Sequence, residues 1–158
     1  MERIPTPHGT FLAHFTVAGL ARLQFPGDLP ETILGSIAPK SALLKTTLAA
    51  LSAALKGKAP ASLPPFALSA GTCMQQQLWR ALLLIPAGRT RTYGELAKSL
   101  GRPRAARAIG QACGANPIPV LIPCHRVLAA NGAIGGFSAP MEWKVNLLNW
   151  ESRQAANK

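Results

Sequence analysis

Thr92-Tyr93-Gly94-Glu95-Leu96-Ala97-Lys98-Ser99-Leu100-Gly101, continued by Arg102-Pro103-Arg104-Ala105-Ala106-Arg107-Ala108-Ile109-Gly110, is the stretch that decides how this chain folds. Thr92 with Glu95 three residues later is a capping box, in which each side chain satisfies a backbone N–H at the start of a helix. The helix so opened runs through Leu100, and Gly101 can end it. Pro103 suits the first turn of a second helix reaching about Gly114, because proline has no N–H to lose there. Two short helices joined by a three-residue, glycine-containing turn read as a helix-turn-helix. Helical hairpins are common and most bind no nucleic acid, so the second helix has to be weighed by composition. It lacks the Asn, Gln or Glu side chains that commonly read base edges, which speaks against sequence-specific readout. Its small residues, Ala105, Ala106, Ala108 and Gly110, permit close backbone approach, which matters most in the minor groove, only about 6 Å wide. Arg107 among them can serve as a wedge or base substitute. The plainer alternative, alanines packed on the first helix and a solvated Arg107, weighs equally on these residues alone.

Upstream, Met74, Leu78, Leu82 and Ile85 form an amphipathic helical face stopped by Pro86 and Gly88. Pro60, Pro64 and Pro65 within residues 57–71 read as a linker. Before it, Leu44, Leu48, Leu51 and Leu55 share one face of a helix ending near Gly57. Residues 10–15 and 20–25, around Ala18-Gly19, alternate as a hairpin. His8 and His14 read as surface or packing residues, with no cysteine nearby to make a metal site.

Of the 158 residues, 48% are apolar and 15% charged, which describes a folding chain of one ordinary domain or two small ones. No apolar run approaches the roughly 20 residues that cross a bilayer; residues 78–85 come nearest and are interrupted by Trp79 and Arg80. The N-terminus has no charged-then-apolar signal pattern. A soluble, cytoplasmic protein without a membrane partner is expected. The formal charge is +11, and the surplus is uneven: residues 71–158 carry eleven basic and three acidic side chains, against six and three in residues 1–70. Such a field concentrates polyanions, and a nucleic acid would sit on the C-terminal half; an inert cationic surface is the bland alternative. Three cysteines, Cys73, Cys113 and Cys124, give neither a disulfide framework nor a zinc finger.

The most specific motif is Ile122-Pro123-Cys124-His125-Arg126-Val127. A cysteine beside a histidine and cationic neighbours is in surroundings that favour thiolate, the nucleophilic form. Adjacent side chains do not normally face each other, so proton transfer from Cys124 to His125 calls for an unusual turn or a bridging water. A third group should orient the histidine, and the acids of this half are Glu95, Glu142 and Glu151, the last following the apolar run Trp143, Leu147, Trp150. A buried structural cysteine beside a surface histidine is the ordinary reading of a lone Cys-His pair.

These motifs together resemble the O6-alkylguanine-DNA alkyltransferases, also called methylated-DNA-protein-cysteine methyltransferases. The resemblance runs over residues 71–151: Gly71-Thr72 with Gln75-Gln76-Gln77-Leu78-Trp79, Ile85-Pro86-Ala87-Gly88, Thr92 to Ala97, Ala105 to Gly110, Asn116-Pro117 and Ile122 to Val127. Thr6-Pro7-His8-Gly9 and the hairpin are similar to the family's smaller domain. The resemblance implies an α/β protein: a small ribonuclease H-like domain of antiparallel sheet plus helix over residues 1–66, a linker ending at 67–71, and a mostly helical DNA-binding and alkyl-transfer domain with a helix-turn-helix over 72–158. It implies that Cys124 takes the alkyl group, irreversibly and once per molecule, with His125 activating it through a water and Glu151 orienting His125. Asn116 would tie the helix-turn-helix to the active-site loop. Tyr93 would donate to the flipped guanine and crowd the adjacent phosphate, and Arg107 would fill the vacated place in the stack. The carbonyls of Cys124 and Val127 would accept from the exocyclic amine, and the Ser138 amide, beside Phe137, would donate to O6.

The implied partner is double-stranded DNA containing O6-alkylguanine, chiefly O6-methylguanine with O4-methylthymine as a further candidate. The protein would act as a monomer without cofactor or metal. Ala139-Pro140 stand where family members usually carry two glycines, and proline stiffens a loop expected to line the pocket. Alkyltransferase-like proteins bind the lesion without reacting, but lack the cysteine present here. A transcription factor and a Cys-His hydrolase are the rivals from other classes.

Overall fold

The computed structural model describes residues 1–27 and 41–157. The parts of the two expected domains that fall on residues 28–40 and on Lys158 lie outside the described residues. The chain opens with β1 (Glu2–Thr6), β2 (Gly9–Thr16) and β3 (Gly19–Gln24), an antiparallel sheet in the order β1-β2-β3. The alternating hairpin is there, with a register shift between His14 and Phe15. The additional strand β1 had no sequence signal, because it buries Ile4 alone and carries Pro5, tolerated at a sheet edge where no ladder N–H is needed. Helix α1 (Ala42–Leu55) starts where the Ser41 hydroxyl accepts the Leu44 N–H, and packs Leu44, Leu51 and Leu55 inward. The expected linker is not a free tether. Leu20 N–H donates to Pro65 C=O and Ala67 N–H to Leu20 C=O, both at 2.8 Å, so the proline-rich segment lies along the open edge of β3.

Helix α2 (Cys73–Leu82) begins with a capping box, Thr72 with Gln75. Leu78 and Leu82 are buried as expected, while Ile85 belongs to the turn beyond. Trp79 donates its indole N–H to the Ala112 carbonyl, fixing α2 against α4 (Ala106–Gly114). The capping box at Thr92 and Glu95 forms and opens α3 (Tyr93–Ser99). The turn after it is longer than the three residues read from sequence. Leu100 to Ala105 are non-helical, and Ala105 N–H donates to Arg102 C=O. Pro103 therefore sits in a tight turn before α4, where its fixed φ is equally well suited.

Two further elements place the site. Arg91–Thr92 form β4, which pairs in parallel with β5 (Val127–Leu128) and so sets the start of α3 beside the segment that follows Cys124. Helix α5 (Met141–Ala156) extends past the apolar run and contains Glu151 rather than ending before it. Phe25 at the end of the sheet meets Phe11, Trp143 and Phe137, with ring centroids 4.8 to 5.9 Å apart, which joins the sheet to α5 and to the loop before it. Gly57, at φ +71°, lies directly against the backbone of α5 at Trp150, where a Cβ would stand 2.2 Å from the carbonyl oxygen. No helix among the described residues is long and apolar enough to cross a membrane.

Candidate active site

Cys124, His125 and Arg126 form a single 3-10 turn, and all three are buried. The turn resolves the problem of adjacent side chains by sending them different ways. Cys124 lines a cavity of about 230 Å³, together with Tyr93, Gly110, Cys113, Gly114, Gly136, Phe137 and Ser138. His125 points away from it and places Nε2 2.8 Å from Glu151 Oε1. Arg126 reaches the same carboxylate through Nε, 3.1 Å from each oxygen, and Nη2, 2.8 Å from Oε1. The Gly88 N–H donates to Oε2 at 3.1 Å. The structure thereby selects among the three acids. Glu95 is committed to the Thr92 backbone N–H in its capping box, and Glu142 is exposed.

Burial works to raise the Glu151 carboxyl, but the hydrogen bonds and charges of His125 and Arg126 outweigh it and bring it down to about 2. Glu151 is thus an anion that can only accept. It follows that the proton on the His125 ring shared with Glu151 resides on Nε2, leaving Nδ1 with a lone pair. That Nδ1 is buried and has no hydrogen-bond partner within the described residues. Burial holds the imidazole below its ordinary pKa against the pull of Glu151, so at neutral pH His125 is a neutral base.

The thiolate expected from the sequence is not the resting form. Burial raises the Cys124 thiol, opposed by the Asn116 amide and the Lys144 ammonium. The cation expected from the motif, Arg126, is committed to Glu151, and His125 is neutral. The cation that acts on Cys124 is instead Lys144 of α5, which the sequence reading passed over. Its burial is complete, and Nζ donates to the carbonyls of Val127 at 2.7 Å and Gly136 at 3.1 Å. A signal existed: Lys144, Leu147 and Glu151 fall on one helical face, so a lysine stood at a core position. Cys113 was likewise not singled out, yet it lines the cavity, and burial first and then Cys124 push its thiol up to about 12.

Asn116 is buried after α4. Its Nδ2 donates to Ile122 C=O at 2.8 Å and its Oδ1 accepts the Ile118 N–H at 3.0 Å, closing the loop that leads from α4 to Cys124. Tyr93, first residue of α3, is half-buried in the cavity wall, and burial, then Cys113 and Cys124, raise its phenol, which keeps its proton. Val127 is buried in β5 and does not line the cavity. The Cys124 carbonyl already accepts the Val127 N–H and the Val127 carbonyl accepts Lys144, leaving one lone pair on each. Ser138 and Phe137 line the cavity from the loop before α5. Ala139 and Pro140 do not: Ala139 faces a neighbouring groove with Arg22 and Asn116, and Pro140 starts α5. On α4, Gly110 reaches the cavity, Ala106 and Ala108 are partly buried and Arg107 is exposed, while Ala105, the residue before the helix, is partly buried.

Residues 73–153 match the family model described as 6-O-methylguanine DNA methyltransferase, DNA binding domain. The methylated-DNA–protein-cysteine methyltransferase of Mycobacterium bovis is 49% identical over 85 residues, 54% of this chain and 52% of that protein. That of Methanosarcina acetivorans is 49% identical over 81 residues, 51% of this chain and 52% of that protein. The chain thus spans about half the length of the curated relatives it matches. A crystal structure of Mycobacterium tuberculosis OGT in complex with DNA superimposes with a TM-score of 0.80 at 34% identity, covering 96% of this chain and 92% of that one.

Proposed function

The chain belongs to the 6-O-methylguanine DNA methyltransferase family, and from that premise and the geometry of its cavity we propose that it repairs duplex DNA by moving an alkyl group from O6 of guanine onto Cys124. The observation that carries the reading is one cavity lined by Cys124, Tyr93 and Ser138, with the residue next to Cys124, His125, neutral and held by the Glu151 carboxylate. The alkyl carbon cannot reach a protein nucleophile while its base is stacked, so the nucleotide must be flipped into the cavity.

The Cys124 proton passes through a bridging water to Nδ1 of His125, whose other nitrogen is held by Glu151. The sulfur then attacks the alkyl carbon, the S–C bond forms as the C–O6 bond breaks, and the electron pair leaves on the guanine, to which the Tyr93 phenol supplies a proton. The Ser138 N–H donates to O6, and the free lone pairs of the Cys124 and Val127 carbonyls receive the exocyclic amine. A thioether is a poor leaving group, so the chain acts once. O6-methylguanine is the principal substrate in this reading, with O4-methylthymine second.

Helices α3 and α4 serve as a helix-turn-helix whose small-residue face enters the minor groove, with Arg107 replacing the flipped base and Tyr93 crowding its phosphate. Residues 1–66 form a ribonuclease H-like supporting domain and residues 72–158 the reacting one. The site is assembled from one chain, which suits a monomer. Incubation with duplex containing O6-methylguanine should add the mass of a single methyl group, mapped to Cys124, and none to Cys124→Ala. A folded wild-type chain that remains unmodified, or a methyl found on Cys73 or Cys113, overturns the proposal.

A further inference from the structure

Lys144 has no place in the transfer described above, yet a buried cation in an otherwise apolar position is costly enough to require a reason. Isolated ammonium groups lose several kcal/mol of hydration on burial, and proteins ordinarily pair them with a carboxylate. Among the described residues Lys144 has none. The ion pairs found there both use Glu151, with His125 and Arg126. Its Nζ is held instead by two neutral carbonyls, that of Gly136, which lines the cavity with Cys124, and that of Val127, three residues after Cys124. Methionine at this position would fill the same space without the desolvation.

We infer that Lys144 is a positioning residue whose missing counter-ion is the Cys124 thiolate: the ammonium, pinned by Val127 and Gly136, waits for a negative charge that exists only when the thiol has lost its proton. This deepens the proposed alkyl transfer and rests on it for its biological purpose. Charge held in place before it is needed stabilises the developing anion without reorganisation.

The other groups facing the thiol do not supply that charge. Tyr93 from α3 and Cys113 from α4 are acids that disfavour a neighbouring anion, and both keep their protons at neutral pH. Asn116 from the loop before the turn offers a neutral amide, and His125, next in sequence, is held neutral by burial. Among the described residues Lys144 is the cation whose field opposes the effect of burial on Cys124. Burial lowers the lysine's own pKa, and a thiolate at Cys124 or Cys113 would raise it again, so the two charges support each other.

The test reads the thiol without DNA. Iodoacetamide labelling is followed by peptide mass mapping across pH, with exposed Cys73 as the internal control. Lys144→Met should move the midpoint of Cys124 labelling upward by about one pH unit and slow it roughly tenfold near neutrality, since each unit is a factor of ten in thiolate. Cys73 should be unchanged, and Lys144→Arg should restore most of the rate by keeping the charge. If Lys144→Met does not fold, Lys144→Gln compared with Lys144→Arg carries the same contrast. A folded neutral variant labelled at the wild-type rate and midpoint overturns the inference. A wild-type chain that labels normally at Cys124 but takes no methyl group from DNA refutes the repair reading and leaves the Lys144 result standing.

Discussion

Replacing Glu151 by glutamine should remove one buried charge and make the stability of the chain less dependent on pH. The carboxyl stands at about 2 in the folded chain against an ordinary 4.5, because His125 and Arg126 bind its anion. At 1.36 kcal/mol per unit, that gap corresponds to about 3 kcal/mol of stabilisation at neutral pH. The folded carboxyl is the stronger acid, so between those values the unfolded chain holds the extra proton. The stabilisation is therefore whole above about pH 4.5 and disappears as pH falls towards 2. Glutamine presents a neutral group of the same shape, much as a protonated Glu151 would, and leaves Arg126 facing no charge.

Glu151→Gln should then cost about 3 kcal/mol near pH 7, in the range of breaking a buried pair, fall to roughly half of that at about pH 3, and approach zero only at about pH 2 and below. His125 has the same sign, since burial holds it below its ordinary 6.5 and folding weakens as the unfolded imidazole is protonated below that value. That loss occurs in both proteins and is larger in the variant, which no longer has Glu151 to offset burial at His125, so the contribution of the carboxyl itself is read from the fall in cost below about pH 4. Urea unfolding followed by tryptophan fluorescence at about pH 7, 5, 4 and 3 measures it. A cost that stays constant over this range, or lies under about 1 kcal/mol at pH 7, would refute the assignment of a strongly bound Glu151 anion.

Arg107→Ala should slow repair of O6-methylguanine in duplex DNA by about ten- to a hundredfold while leaving transfer from a free base such as O6-benzylguanine unchanged, because unstacking costs a few kcal/mol only in a duplex. The comparison is made at fixed salt with saturating duplex, and equal slowing on both substrates would show that the exposed arginine supports the fold instead. Gly57→Ala should lower stability by more than about 2 kcal/mol, since the residue sits at φ +71° with the Trp150 backbone where its Cβ would go. A thermal melt within a degree of wild type would mean that the contact between α1 and α5 yields freely.

What the sequence determined by itself is what neighbours within a few residues can encode. The leucine stripe of α1, the capping box of α3 and the hairpin alternation are all local patterns, and each fell where the spacing put it. Thr72 with Gln75 was equally legible and went unread. The tertiary structure decided whatever depends on distant parts of the chain meeting. Strand β1 exists because β2 offers it a ladder, and the proline-rich segment is fastened because β3 has an open edge. The choice of Glu151 over Glu95 and Glu142 required α5 to return 26 residues after His125 and Gly88 to close on the carboxylate from 63 residues away. Protonation states were reversed for the same reason. A motif rich in His and Arg suggests a thiolate, but burial, which no motif records, neutralises His125 and raises Cys124, and leaves the positive charge to a lysine on another helix.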